Sequence, residues 1–147
     1  VGDRLHLVSL DGTEVALPSS LLKPDNEHLA SWTLVSNGAV VQTGGSPALH
    51  FVKDGAIVWS VGTGAMERPN VAGYAVSSDE NAVYVSLIAA DRRSGSVMAM
   101  ALDGKQLWRK ELPVGTGRVV ASRGGASEVA VVTTAPARCE TCLDATI

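Results

Sequence analysis

Short runs of apolar and β-branched residues, broken every few positions by Gly, Asn, Asp and Ser, fill this chain along most of its length. Runs of this size with turn residues between them read as strands joined by tight connections. Leu5 to Leu10 meets Asp11-Gly12, and Thr13 to Leu17 returns. A second group runs Ala30 to Val35, a turn at Asn37-Gly38, Ala39 to Thr43, a break at Gly44-Gly45-Ser46-Pro47, Leu49 to Val52, a turn at Asp54-Gly55, and Ile57 to Val61. A third repeats this order with Gly73 to Ser77, Val83 to Ile88, Val97 to Ala101 and Gln106 to Lys110. Arg118 to Ser122 and Glu128 to Thr133 begin a fourth. Long helical patterns are absent. Ser20 to Lys23 has room for one helical turn, since Pro18 and Pro24 bracket it. The pattern predicts an all-β fold of four-stranded antiparallel meanders.

The turns add a second regularity. Asp11-Gly12, Asp54-Gly55 and Asp103-Gly104 each follow a strand-like run and precede another, and their glycines lie 43 and 49 residues apart. Asp-Gly is among the best two-residue hairpin connections, because that turn needs positive φ at both central positions. A tryptophan falls four positions after two of these glycines, Gly55 to Trp59 and Gly104 to Trp108. Both closing strands leave through the same tetrapeptide, Val61-Gly62-Thr63-Gly64 and Val114-Gly115-Thr116-Gly117. A period of roughly 40–50 residues is the mark of a repeat architecture whose units cannot bury their apolar faces alone. The expected modules are residues 1–28 (the last part of one), 29–68, 69–117 and 118–147 (the first part of another).

The stretch Ala99-Met100-Ala101-Leu102-Asp103-Gly104-Lys105-Gln106-Leu107-Trp108 resembles the tryptophan-docking repeat of the PQQ-like (quinoprotein-type) β-propellers. Phe51 to Trp59 resembles it in part. The resemblance implies a β-propeller, of which this chain covers about three blades, with Trp59 and Trp108 packed flat between neighbouring blades. An indole suits that place, since it brings a large apolar face and an N–H that needs an acceptor. The motif's early Asp is absent, replaced by Val52 and Ala101, and counting four residues from Gly12 puts Ala16 where the tryptophan stands elsewhere. Degeneracy of this sort is similar to the non-catalytic branch of the family, which binds other proteins. The catalytic branch contains the quinoprotein alcohol and sugar dehydrogenases.

Composition narrows the partners. Lys and Arg number 12 and the formal net charge is −3, with no basic run interleaved with aromatics, so nucleic acid is not expected. The longest apolar runs, Val83 to Ala90 and Val129 to Val132, are strand-sized and far short of the ~20 residues of a membrane helix. Few lysines, abundant Gly, Ser and Thr, and two closely spaced cysteines suggest a periplasmic or extracellular location. The first residue is Val1, with no charged-then-apolar leader after it, which reads as a processed or partial chain.

Candidate chemistry is sparse. In Cys139-x-x-Cys142 the next residue is Leu143, where a c-type haem would need His. A zinc site needs four ligands, and His6, His28 and His50 are scattered. A local disulfide across a loop is the leading reading of the pair, with a free or metal-binding pair as the alternative. His6 and His50 occupy matching places before the Asp-Gly turns and are expected to be structural. Two polar loops, Glu67, Arg68 and Asn70, and Asp91, Arg92 and Arg93, are candidate partner-binding sites, because loops carry binding in such scaffolds. Trp32 lies outside the repeat and is a candidate interface residue. No nucleophile elbow, phosphate-cradling loop or His-x-x-x-His pair is present, so no catalytic residue, cofactor or metal ligand is assigned. The function expected is a non-enzymatic, protein-binding scaffold module that meets other subunits or the rest of its own chain. A fragment of a PQQ-dependent dehydrogenase and an extracellular ligand-sensing propeller are the alternatives.

Overall fold

The computed structural model describes residues 5–21, 28–45, 48–62, 70–89 and 94–112 with their side chains, and 115–121 and 129–134 as backbone strands. The structure is all-β, in antiparallel sheets of two to four strands. Strands β1 (Leu5–Val8) and β2 (Glu14–Leu17) form a hairpin, followed by a 3-10 turn at Ser19–Leu21. Strands β3 (Leu29–Val35), β4 (Gly38–Thr43), β5 (Leu49–Lys53) and β6 (Ala56–Val61) form a four-stranded meander. Strands β7 (Asn70–Val76), β8 (Ala82–Ile88), β9 (Gly95–Ala101) and β10 (Gln106–Leu112) form a second meander in the same order. Strands β11 (Gly115–Ala121) and β12 (Val129–Thr134) make a final hairpin, with β11 against β7 and β8.

The continuous apolar run on β4 has a packing cause. Side chains on a strand alternate between faces, and both faces of the β3–β6 sheet are covered. Val40 joins Leu49, Phe51, Val83, Val85, Met98 and Met100 in a core between the two four-stranded sheets. Its neighbours Ala39 and Val41 face the other way and meet Leu7, Val15, Leu17 and Leu21 of the first hairpin and its 3-10 turn. The hairpin, the first sheet and the second sheet therefore stack face to face in chain order. Polar bonds rim the central core. Thr33 Oγ1 and Tyr74 Oη lie 3.0 Å apart, and the Ser36 amide donates to Glu80 Oε2 at 2.6 Å. Glu80 holds a φ of 56°, unusual for a residue with a Cβ, at the β7–β8 turn that makes this bridge.

The three Asp-Gly turns are not alike. Only Asp54-Gly55 is the two-residue hairpin turn, with φ of 52° and 74°. At Asp11-Gly12 and Asp103-Gly104 only the glycine is left-handed, at 87° and 92°. Ser9 N donates to Thr13 O at 2.9 Å and Ala101 N to Lys105 O at 2.9 Å, which closes three-residue loops. Here the aspartate takes a different job: its carboxylate accepts the amide two residues on, Thr13 N to Asp11 and Lys105 N to Asp103, each at 2.9 Å. The expectation of a two-residue turn at Asp11-Gly12 is corrected by this geometry. Asp in that loop stays right-handed because its side chain, rather than a left-handed backbone, caps the turn.

Candidate functional site

The closing strand of each meander is bent just before its tryptophan. Val52 pairs with Ile57 and Phe51 with Trp59, so Val58 is an extra residue; Met100 pairs with Gln106 and Ala99 with Trp108, so Leu107 is its counterpart. A bulge of one residue re-aims every side chain beyond it. Trp59 consequently joins the face that looks to the next sheet, in a cross-strand row with Val40 and Phe51. The Phe51 and Trp59 rings stack with centroids 6.0 Å apart.

Trp59 then reaches across to the β9–β10 loop. Its indole N–H donates to the Leu102 carbonyl at 3.1 Å. The ring lies against Gly104 so closely that a Cβ there would be 3.1 Å from Trp59 Cδ1. Gly104 thus has two reasons to be glycine, a φ of 92° and the indole over its Cα.

Trp108 has the same setting on its own sheet. It forms the row Tyr84–Ala99–Trp108, with Tyr84 and Trp108 ring centroids 6.1 Å apart. This row is on the face turned away from the first sheet, so each unit presents its tryptophan in the direction of the chain. Unlike Trp59, Trp108 remains 42% exposed, beside Leu107 at 50%. Trp32 on β3 is also exposed, opposite Val41.

The first hairpin breaks the pattern in an informative way. Its pairing runs Leu5↔Leu17, His6↔Ala16, Leu7↔Val15 and Val8↔Glu14 without a bulge. Leu7 stands where Phe51 and Ala99 stand, and its cross-strand partner is Val15. Val15, buried in the hairpin's core, therefore holds the docking position, and the assignment of Ala16 to it is corrected. Counting from the glycine misplaces it because the bulge residue is missing. Valine is too short to reach the turn ahead, and nothing lies within 4 Å of the Cβ position at Gly55. An open cleft of about 510 Å³ remains there, lined by Glu14, Val15, Ala16, Gly38, Asp54 and Gly55 among others.

His6 and His50 fall at matching register, each just before the residue that faces the next sheet. His6 Nδ1 pairs with Glu14, and His50 Nδ1 lies 2.7 Å from Ser60 Oγ, so both are engaged with the neighbouring strand of their own hairpin. Asn70 begins β7 opposite Ile88 and is half-buried. Glu67, Arg68, Asp91, Arg92, Arg93, Cys139 and Cys142 lie outside the described residues. Among the described residues no group of three or more His, Cys, Asp or Glu is placed to hold a metal ion, and no helix is long and apolar enough to cross a membrane. Compared with family models, with curated proteins and with solved structures, the chain matches none.

Two features escaped the sequence reading. The bulges at Val58 and Leu107 leave no compositional mark, and the only clue was that the spacing from glycine to tryptophan stays at four although the loop lengths differ. The cleft is the second, beside a docking place that holds valine where the other units hold tryptophan.

Proposed function

We propose that this chain is a run of PQQ-like β-propeller blades that works as a non-enzymatic, protein-binding scaffold within a periplasmic or extracellular assembly. The observation that carries the reading is the repeated forward-facing row. Trp59 is seated on the next sheet, while Trp108, in the same register after the same kind of bulge, keeps much of its indole in water. An exposed indole beside an exposed leucine suits an interface anchor, since large aromatics dominate binding energy when they fill a partner's pocket. The occupant of the Trp108 face is a sheet carrying a glycine turn like Leu102–Gly104, supplied by another subunit or by the remainder of the same polypeptide. The quinoprotein dehydrogenase and ligand-sensing alternatives draw no comparable support from the docking rows.

The test is tryptophan oxidation footprinting by mass spectrometry, on the native protein from its source and on the isolated 147-residue chain. Trp108 is expected to be protected in the native protein and reactive in the isolated chain, with Trp59 protected in both. A reactive Trp108 in the native protein would overturn the docking role. Quinone absorbance or calcium-dependent dye reduction by the native protein would overturn the non-enzymatic reading.

A further inference from the structure

We propose that the cleft between the β1–β2 hairpin and the β3–β6 sheet binds one planar aromatic heterocycle of about indole size, neutral or cationic and carrying an N–H donor. Two stacked interfaces share the β3–β6 sheet. In the second, the forward face of one sheet sends Trp59 onto the glycine of the next Asp-Gly turn, and the indole N–H ends on a turn carbonyl. In the first, the same position is Val15, the turn ahead is the two-residue Asp54-Gly55 in place of a three-residue loop, and no atom lies within 4 Å of a Cβ placed at Gly55.

Two of three residues on the receiving side are also smaller. Ala39, Val41 and Val52 take the places that Val83, Val85 and Met100 take on the second sheet. Valine in the tryptophan's place goes with an open cleft of about 510 Å³, within the range of about 300–1,000 Å³ usual for small-molecule sites. The first interface therefore sets a glycine turn ahead of the docking place with no indole over it.

Shape and charge select the occupant. Glycine at 55 exposes a flat Cα surface, as Gly104 does beneath Trp59, and a flat ring can lie on it. Val15 supplies an apolar side wall. The rim holds Asp54 beside Lys53, while the Glu14 carboxylate is taken up by His6 on the outer face of the hairpin. The Asp54 carboxylate can accept an N–H from the ligand and repels a carboxylate or phosphate placed beside it. The site is independent of what covers Trp108, and either reading can fail without the other.

The experiment is a titration of the full chain with indole, then benzimidazole, then indole-3-acetate, followed by amide chemical shifts. Saturable one-site binding of indole is expected, with a dissociation constant of about 0.1–1 mM, the scale for so small a ring at ordinary ligand efficiency. Benzimidazole should bind at least as well, and indole-3-acetate about tenfold more weakly. The shifts should centre on the amides of Val15, Gly38 and Gly55 and spare Gly104. Val15→Trp should fill the cleft from within, raise the melting temperature and weaken indole binding by about tenfold or more. Should that variant fail to fold, the shift map on the unaltered chain decides alone. No saturable binding, shifts centred on Trp59 and Gly104, or undiminished binding by a folded V15W protein would each overturn the proposal.

Discussion

Asp11 is exposed, yet its chemistry is tied to the loop that it caps. The Ser9 hydroxyl and the Thr13 amide both donate to its carboxylate, and these bonds hold its pKa at about 2, against 3.8 for the free side chain. Asp79 shifts in the same direction for the same reason, with the Ser77 hydroxyl as the first cause and Asn81 as the second. A carboxylate whose folded pKa is depressed stabilises the fold fully above its unfolded value and loses that contribution as pH falls through the folded value. The melting temperature should therefore decline between about pH 4 and pH 2. Asp11→Asn keeps an acceptor oxygen but has no charge to titrate, so thermal denaturation followed by circular dichroism should show a flatter pH dependence over that window. An unchanged slope in D11N would mean that the Ser9–Asp11–Thr13 bonds do not persist in solution. The three Asp-Gly dipeptides were plain in the sequence. Which aspartate caps with its side chain and which bends its backbone was not, because both uses favour the same two residue types.

At the scale of one hairpin, the glycine turns separate local strain from docking. Gly12 and Gly104 share the same loop geometry and nearly the same φ, but open space surrounds the first and Trp59 covers the second. Alanine in a left-handed position costs about 1–2 kcal/mol in either loop. At Gly104 the added methyl also presses on the indole, an overpacking penalty of about 1 kcal/mol or more. Urea denaturation should accordingly show Gly104→Ala less stable than Gly12→Ala by about that margin. Equal losses would mean that Trp59 does not sit on this turn. Strand positions were legible because β-branched runs and turn residues are local signals. The bulges at Val58 and Leu107 were not, since a bulge is a property of the pairing between two strands and not of either strand's composition.

At the scale of the whole molecule, two of the stacked interfaces share the β3–β6 sheet. Adjacent residues of β4 belong to different ones, Val40 to the interface with the β7–β10 sheet and Val41 to the interface with the first hairpin. Both are fully buried, so truncation to alanine should cost about 2 kcal/mol at each. The consequences should differ in place. In native-state hydrogen exchange, Val40→Ala should lower protection most across residues 70–112, and Val41→Ala across residues 5–21. Identical exchange patterns in the two variants would show that the stack melts as one unit. The Trp108 face belongs to the same scale, because its meaning depends on what comes next in the stack.

The sequence by itself determined the strand runs, the meander order, the repeat and the glycines that its turns require, because these follow from nearest-neighbour preferences and a period of two. It also gave Trp59 a structural role, with packing between neighbouring units as what the resemblance of its repeat implied. The tertiary structure alone decided where each closing strand slips by one residue, and so which side chain faces forward. That slip puts Trp59 on Gly104, and its absence from the first hairpin gives the docking place there to Val15, beside the open cleft at Gly55. The physical reason is that one inserted residue reverses the facing of everything after it, while the amino-acid pattern on either side of it reads the same.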